Sequence, residues 1–240
     1  MTPNYFIWNG VDSRAMGVFV IKYPPIIRAQ ERLQFVTVPG RAGDLTLAEG
    51  EKIYDAYDRS MEVSNMRGAD INAARAWLSG SGQLIMGNEP DFVYTVNMNA
   101  QLQMDKIIRG VWGGVLTMHT QPFKAKTTPQ AGISITVSGG TVYNPGDVPA
   151  KPVLGVHCTP SVSVEPVIST LTIGGKTLSL ENVPEYFTLD LENQWTIDSE
   201  NVRGNPSSSG DFGSIPPGNS IVSFTGDIDS VDIPAGWWYL

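Results

Sequence analysis

Several clusters in this 240-residue sequence carry residue types able to do chemistry. Gly174-Gly175-Lys176-Thr177 has the ending of a phosphate-binding loop, in which backbone N–H groups cradle the phosphates and the lysine reaches their outer oxygens. The first glycine of that motif falls at Thr170, however, and the four residues lie between two alternating apolar runs, where Gly-Gly makes a tight hairpin turn. His157 and Cys158 are metal-ligand types, but consecutive side chains on a strand point to opposite faces, so the two cannot clamp one ion. The other histidine, His119, would need carboxylates from elsewhere to complete a zinc site. Asp227, Asp229 and Asp232 are spaced too irregularly for a calcium loop of the helical type and read as solvated acids.

Trp195, Trp237 and Trp238, with Tyr239, are of the kind that stacks on sugar rings; in a β protein the same residues equally fill a core and anchor the last strand. With two histidines, one cysteine and no nucleophile motif, hydrolytic or redox catalysis has no visible machinery. Glycoside hydrolysis, which needs only two suitably spaced carboxyls, is the one enzymatic reading left open. The expectation is therefore a protein that is not an enzyme, with no catalytic residues, no cofactor and no metal.

The elements that would position such residues are mostly strands. Short β-branched and aromatic runs recur between 25 glycines and 17 prolines. Tyr5 to Trp8 precedes the tight-turn dipeptide Asn9-Gly10. Val18 to Ile21, Leu33 to Val38, and Ser60 to Asn65 (with Met61 and Val63 on one face) read as strands, followed by Leu84 to Met86, Phe92 to Leu102 and Val111 to Gln121. One helix interrupts them over Asp70 to Leu78, with Asp70 as its cap, Ala73, Ala74, Trp77 and Leu78 on one face, and Gly80-Ser81-Gly82 ending it. Seven further strands are expected between Val153 and Ile233.

Charge divides the chain. Sixteen basic and 24 acidic residues give a net charge of −8, which argues against a generic DNA binder. Residues 1 to 140 hold 13 basic and 12 acidic residues, whereas 141 to 240 hold 3 and 12. All eight methionines lie in the first part as well. Two shifts in composition thus predict a boundary between Thr127 and Asp147. A single cysteine rules out an intrachain disulfide, and neither a signal peptide nor a membrane anchor is expected.

Together these segments resemble the distal tail proteins of long-tailed bacteriophages. The resemblance rests on Phe6-Ile7-Trp8-Asn9-Gly10-Val11-Asp12-Ser13 with Gly17, and on the proline-glycine loop Val38-Pro39-Gly40-Arg41-Ala42-Gly43-Asp44-Leu45. Further along come Asn144-Pro145-Gly146-Asp147 with Ala150 and Pro152, then Ile215-Pro216-Pro217-Gly218-Asn219, and the closing Pro234-Ala235-Gly236-Trp237. Each is a turn or loop signature, and their order covers nearly the whole chain.

The resemblance implies a mainly β fold: a ring-forming N-terminal β-sandwich or barrel with one helix over 1–130, and a galectin-like jelly-roll sandwich over 131–240. It implies a homohexameric ring in the virion, at the tail tip or baseplate, made in the host bacterial cytoplasm. Its partners would be the tail tube protein, the tape measure protein and tail-associated or baseplate proteins, with DNA passing through the lumen without specific binding and no membrane involved. The loop from Val38 to Ile53 is the expected arm between subunits, with Pro39, Gly40, Arg41, Gly43, Asp44 and Leu45 at its tip. Pairing an extended hairpin with a neighbour satisfies backbone groups that an open sheet edge leaves bare. The alternative is a carbohydrate-binding module attached to host cell-wall sugars through Trp195, Trp237 and Trp238.

Overall fold

The computed structural model describes residues 4–48, 52–65, 69–99, 102–128, 130–161, 167–198 and 208–240. The chain divides into two compact units, Met1–Thr127 and Thr128–Tyr239. It is mainly β with one helix, and its sheets are curled.

In the first unit the strands are β1 (Phe6–Trp8), β2 (Val11–Asp12), β3 (Val18–Lys22), β4 (Leu33–Thr37), β5 (Asp44–Ala48), β6 (Tyr57–Asn65), β7 (Gly80–Met86), β8 (Glu89–Met98), β9 (Gln103–Ile108) and β10 (Val111–Lys126). All but β4 and β5 join one antiparallel sheet in the order β2-β1-β7-β8-β10-β6-β3, with β9 added to β10. The sheet curls until its ends meet: the Val20 N–H donates to the Asn4 carbonyl at 2.9 Å, and the Tyr23 hydroxyl donates to the Tyr5 carbonyl at 2.6 Å. Asn9 and Gly10, both with positive φ, make the turn from β1 to β2.

Alternate residues of these strands bury the core, including Phe6, Trp8, Met61, Val63, Leu84, Met86, Leu116 and Met118. The helix α1 (Ile71–Trp77) is capped by Asp70, whose carboxylate accepts from the N–H groups of Asn72 and Ala73. Ala74, Leu78 and part of Trp77 face the core, while Ala73 is exposed, which corrects the helical face expected from the sequence. The Trp77 ring stacks on Phe6 at 5.7 Å, and its carbonyl accepts from the Trp8 indole N–H at 3.1 Å.

Gly80-Ser81-Gly82 is not a helix cap. The helix ends at Leu78, and the three residues open strand β7. Gly82 is needed there because the Asn9 side chain occupies the space a Cβ would fill, and Asn9 Oδ1 accepts from the Gln83 N–H at 2.9 Å. The strand expected over Phe92 to Leu102 stops at Met98, and a further strand, β9, starting at Gln103, was not expected.

One inward position of β6 carries a charge. Arg59 is buried beside Met61, 4.0 Å from Glu89, which also accepts from the Tyr94 hydroxyl at 2.8 Å. The guanidinium lies over the Tyr94 ring at 4.8 Å and donates to the Pro25 carbonyl. Burial, reinforced by the bond to Glu89, pushes the Tyr94 phenol well up, so it stays a donor.

The described residues of the second unit form ten strands: β11 (Ile133–Ile135), β12 (Gly140–Asn144), β13 (Val153–Cys158), β14 (Ile168–Ile173), β15 (Lys176–Glu181), β16 (Tyr186–Asp190), β17 (Trp195–Asp198), β18 (Ser208–Gly210), β19 (Gly218–Thr225) and β20 (Ile228–Ile233). They form two five-stranded antiparallel sheets, β11-β20-β13-β16-β17 and β12-β19-β14-β15-β18. Leu154, Val156, Phe187, Leu189 and Val231 are among the buried residues of the first, and Val142, Leu171, Leu178, Leu180 and Val222 among those of the second. Three strands beyond the expected seven, β11, β12 and β18, are edge strands of only three to five residues. Gly174 and Gly175, with φ of +59° and +79°, form the β14–β15 hairpin turn and not a phosphate loop.

Candidate assembly surface

The two strands missing from the large sheet make the most unusual surface of the first unit. Residues Leu33 to Thr37 and Asp44 to Ala48 are alternating or continuous apolar runs of strand-forming type, separated by Pro and Gly. They pair antiparallel from Leu33–Ala48 to Thr37–Asp44, and among the described strands β4 and β5 pair only with each other. The tip is built as the sequence suggests. Val38-Pro39-Gly40-Arg41 is a turn in which the Arg41 N–H donates to the Val38 carbonyl at 3.1 Å. Proline sets the first corner, and Gly40 takes the positive φ, +81°, that the second requires. Gly43 is also left-handed, and the Thr37 hydroxyl donates to the Asp44 carboxylate at 2.8 Å to close the ladder.

Below the ladder the two legs of the stem are tied to each other and, through Tyr54, to the body. The Arg32 N–H donates to the Ile53 carbonyl at 2.7 Å, the Asp55 N–H to Gln30 at 2.9 Å, and the Arg32 and Asp55 side chains form an ion pair at 2.7 Å. Tyr54, buried between them, meets the Phe123 ring edge-on at 5.6 Å. The base of the hairpin is therefore fixed while its blade is bare.

Both faces of that blade are apolar. Register puts Phe35 with Leu33 on one face, and Val36, Leu45 and Leu47 on the other. Phe35 is 63% exposed and Leu47 43%. A lone two-stranded ribbon is marginal in water, and clustered exposed apolar residues on a soluble surface mark a place for a partner. Pro39, Gly40, Arg41, Gly43, Asp44 and Leu45 all lie on this tip and are exposed. The sequence signal missed there was the alternation Asp44-Leu45-Thr46-Leu47-Ala48, which is a strand and not a loop; residues 49–51 of the expected arm lie outside the described residues.

The other singled-out residues are dispersed. Trp237 is buried at 6% exposure, which leaves no ring face for a sugar; Trp238 is exposed, and Trp195 lies half-buried on edge strand β17 beside Asp190. Cys158 points into the core, and burial pushes its thiol up to about 11, whereas neighbouring His157 faces out and its Nε2 is 2.9 Å from Asp232. His119 Nδ1 lies 2.7 Å from Asp58 on the opposed strand. Asp227 accepts from Ser161 and Asp229 from the Thr159 hydroxyl, so the three acids serve separate partners. Among the described residues no group of three metal-ligating side chains converges, and no helix is long and apolar enough to cross a membrane.

No protein-family profile matches the chain, and no characterised protein matches it by sequence. Among solved structures, it is similar to the crystal structure of Dit (gp 19.1) of phage SPP1, described as a paradigm of the hub adsorption apparatus in phages infecting Gram-positive bacteria. The TM-score is 0.75 at 14% identity, over 98% of this chain and 99% of that one. From end to end, then, this chain has a Dit-like fold.

Proposed function

We propose that the protein is a structural component of a bacteriophage tail, forming a hexameric ring at the distal end of the tail tube and joining it to the baseplate or tip. The observation that carries this reading is the β4–β5 hairpin, anchored at its stem and apolar on both faces, on a chain whose whole length shares the fold of a phage hub protein. A ring needs a heterologous contact, one patch meeting a different patch on the next copy, and a projecting ribbon supplies the first of these. In the ring, each hairpin lies against the neighbouring subunit and buries Phe35, Val36, Leu45 and Leu47. The tail tube, tape measure and tail-associated or baseplate proteins dock above and below, and DNA passes through the central channel without specific binding. The role is mechanical and requires no catalytic group.

Negative-stain electron microscopy of the full chain tests this. The expected particle is a closed six-fold ring with a central opening. Single compact particles, both alone and with tail-tube and baseplate proteins added, would rule it out.

A further inference from the structure

A heterologous contact needs two unlike patches, and the β4–β5 blade is only the first. A second projection stands on the same unit. Strand β10 outruns β6: Val115 and Gly113 pair with Glu62 and Ser64, and beyond them Trp112 and Val111 pair with Lys106 and Ile108 of β9. The Trp112 N–H donates to Asn65 Oδ1 at 2.6 Å, which fixes the base of this β9–β10 hairpin. Leu116 and Met118 point into the core, so Val115 and Gly113 lie on the outer face. Ile107 lies across Gly113, where a Cβ would come within 2.7 Å of the isoleucine Cδ1. Ile107 is 60% exposed and Val115 45%.

The two hairpins sit at opposite ends of β6. The stem of the blade meets the Tyr57 end, where Tyr54 packs on Phe123 and Arg59 donates to the Pro25 carbonyl. The β9–β10 hairpin leaves from the Asn65 end, at the far side of a strand of nine residues. That separation is roughly 27 Å at about 3.4 Å per residue. Ile26, Ile27 and Ile53 are exposed as well, but they flank the stem and share the blade's own end. Charge matches the two hairpins to each other. Arg41 is exposed at the tip of the blade, and Asp105 is exposed opposite Gly113 on the outer face of β9. Neither has an ion pair among the described residues. A basic tip and an acidic receiving face are complementary.

We infer that the β9–β10 hairpin receives the β4–β5 hairpin of a second copy of this chain, with Val36, Leu45 and Leu47 laid against Ile107 and Val115 and Arg41 meeting Asp105. Giver and receiver stand at opposite ends of one strand, so each copy engages two neighbours and a closed set leaves neither patch bare. The surface has this role only if the ring proposed above forms.

The test is sedimentation velocity on the full chain, alone and with tail-tube and baseplate proteins, under the conditions in which the parent assembles. Ile107→Lys with Val115→Thr spoils the receiver, and Val36→Lys with Leu45→Glu spoils the blade. All four positions are exposed, and thermal unfolding of each variant should match the parent. Either variant by itself should lose the ring. Mixed at high micromolar concentration, the intact blade of one should meet the intact receiver of the other and stop there, at twice the 26.0 kDa of one chain. A receiver variant that still closes the ring, or a mixture that stays at 26.0 kDa, would overturn the assignment and leave the ring standing. Should the receiver variant fail to fold, Asp105→Arg decides. It should weaken assembly about tenfold or more, and Arg41→Asp in the same chain should restore it; assembly unchanged by Asp105→Arg overturns the assignment. A parent that never assembles overturns the ring and this surface together.

Discussion

Val36 and Leu45 stand directly opposite each other in the β4–β5 ladder, and both are in solvent. Cross-strand apolar pairs of this kind normally cover a core; here Val36 is 41% exposed and Leu45 36%. Replacing them with an opposed ion pair, Val36→Lys with Leu45→Glu, keeps a favourable cross-strand contact while removing the apolar face. This variant should unfold within about 0.5 kcal/mol of the parent and lose assembly, read as a shift to smaller species in sedimentation velocity.

Inside the first unit, Glu89 neutralises a guanidinium that water cannot reach. Glu89→Ala would leave Arg59 charged and buried, and would also remove the acceptor of the Tyr94 hydroxyl. The expected loss is about 3–5 kcal/mol, since breaking one side of a buried pair costs far more than the pair contributes. Urea unfolding followed by tryptophan fluorescence measures it; a loss under about 1 kcal/mol would contradict the geometry described.

Two carboxylates of the second unit, Asp190 and Asp232, are held below their usual range, and Asp190 is the more buried. Burial works to raise its pKa, but the N–H groups of Asn193 and Glu192 and the Asn193 side-chain amide outweigh it and hold the carboxyl below its usual range. A depressed folded pKa gives stability that is complete above the unfolded value, about 3.9, and is lost as pH falls through the folded one. Asp190→Asn should therefore be less stable than the parent by about 1–2 kcal/mol near pH 6. That difference should close as the pH falls towards 2 in a denaturation series.

Cys158 should be chemically silent. Burial above all, then the charges of Asp229 and Asp227, push its thiol up to about 11, leaving about a thousandth ionised at pH 8. Ellman's reagent should titrate one thiol per chain promptly in denaturant and react many times more slowly with the native protein.

Much of this fold was legible in the sequence because its signals are local. Asn9-Gly10 and Gly174-Gly175 can take positive φ cheaply, Asp70 can cap only the helix that begins beside it, and Met61 and Val63 alternate because β6 has one buried face. The features that stayed hidden depend on distant partners. Gly82 reads as a cap until Asn9, far away in sequence, is seen filling the space of its missing side chain. Leu45 and Leu47 read as loop because their strand pairs with β4 alone among the described strands and joins no larger sheet. The contact between His157 and Asp232 needs β13 and β20 brought side by side, and neither stretch encodes it alone.

Solution mass tests the central claim most directly. Light scattering coupled to size exclusion at micromolar concentration should return six times the 26.0 kDa of one chain, for the chain alone or, once tail-tube and baseplate proteins are added, as this chain's share of the complex mass. A mass of 26.0 kDa for the chain alone that stays unassembled with those proteins present would contradict a ring built on the β4–β5 hairpin.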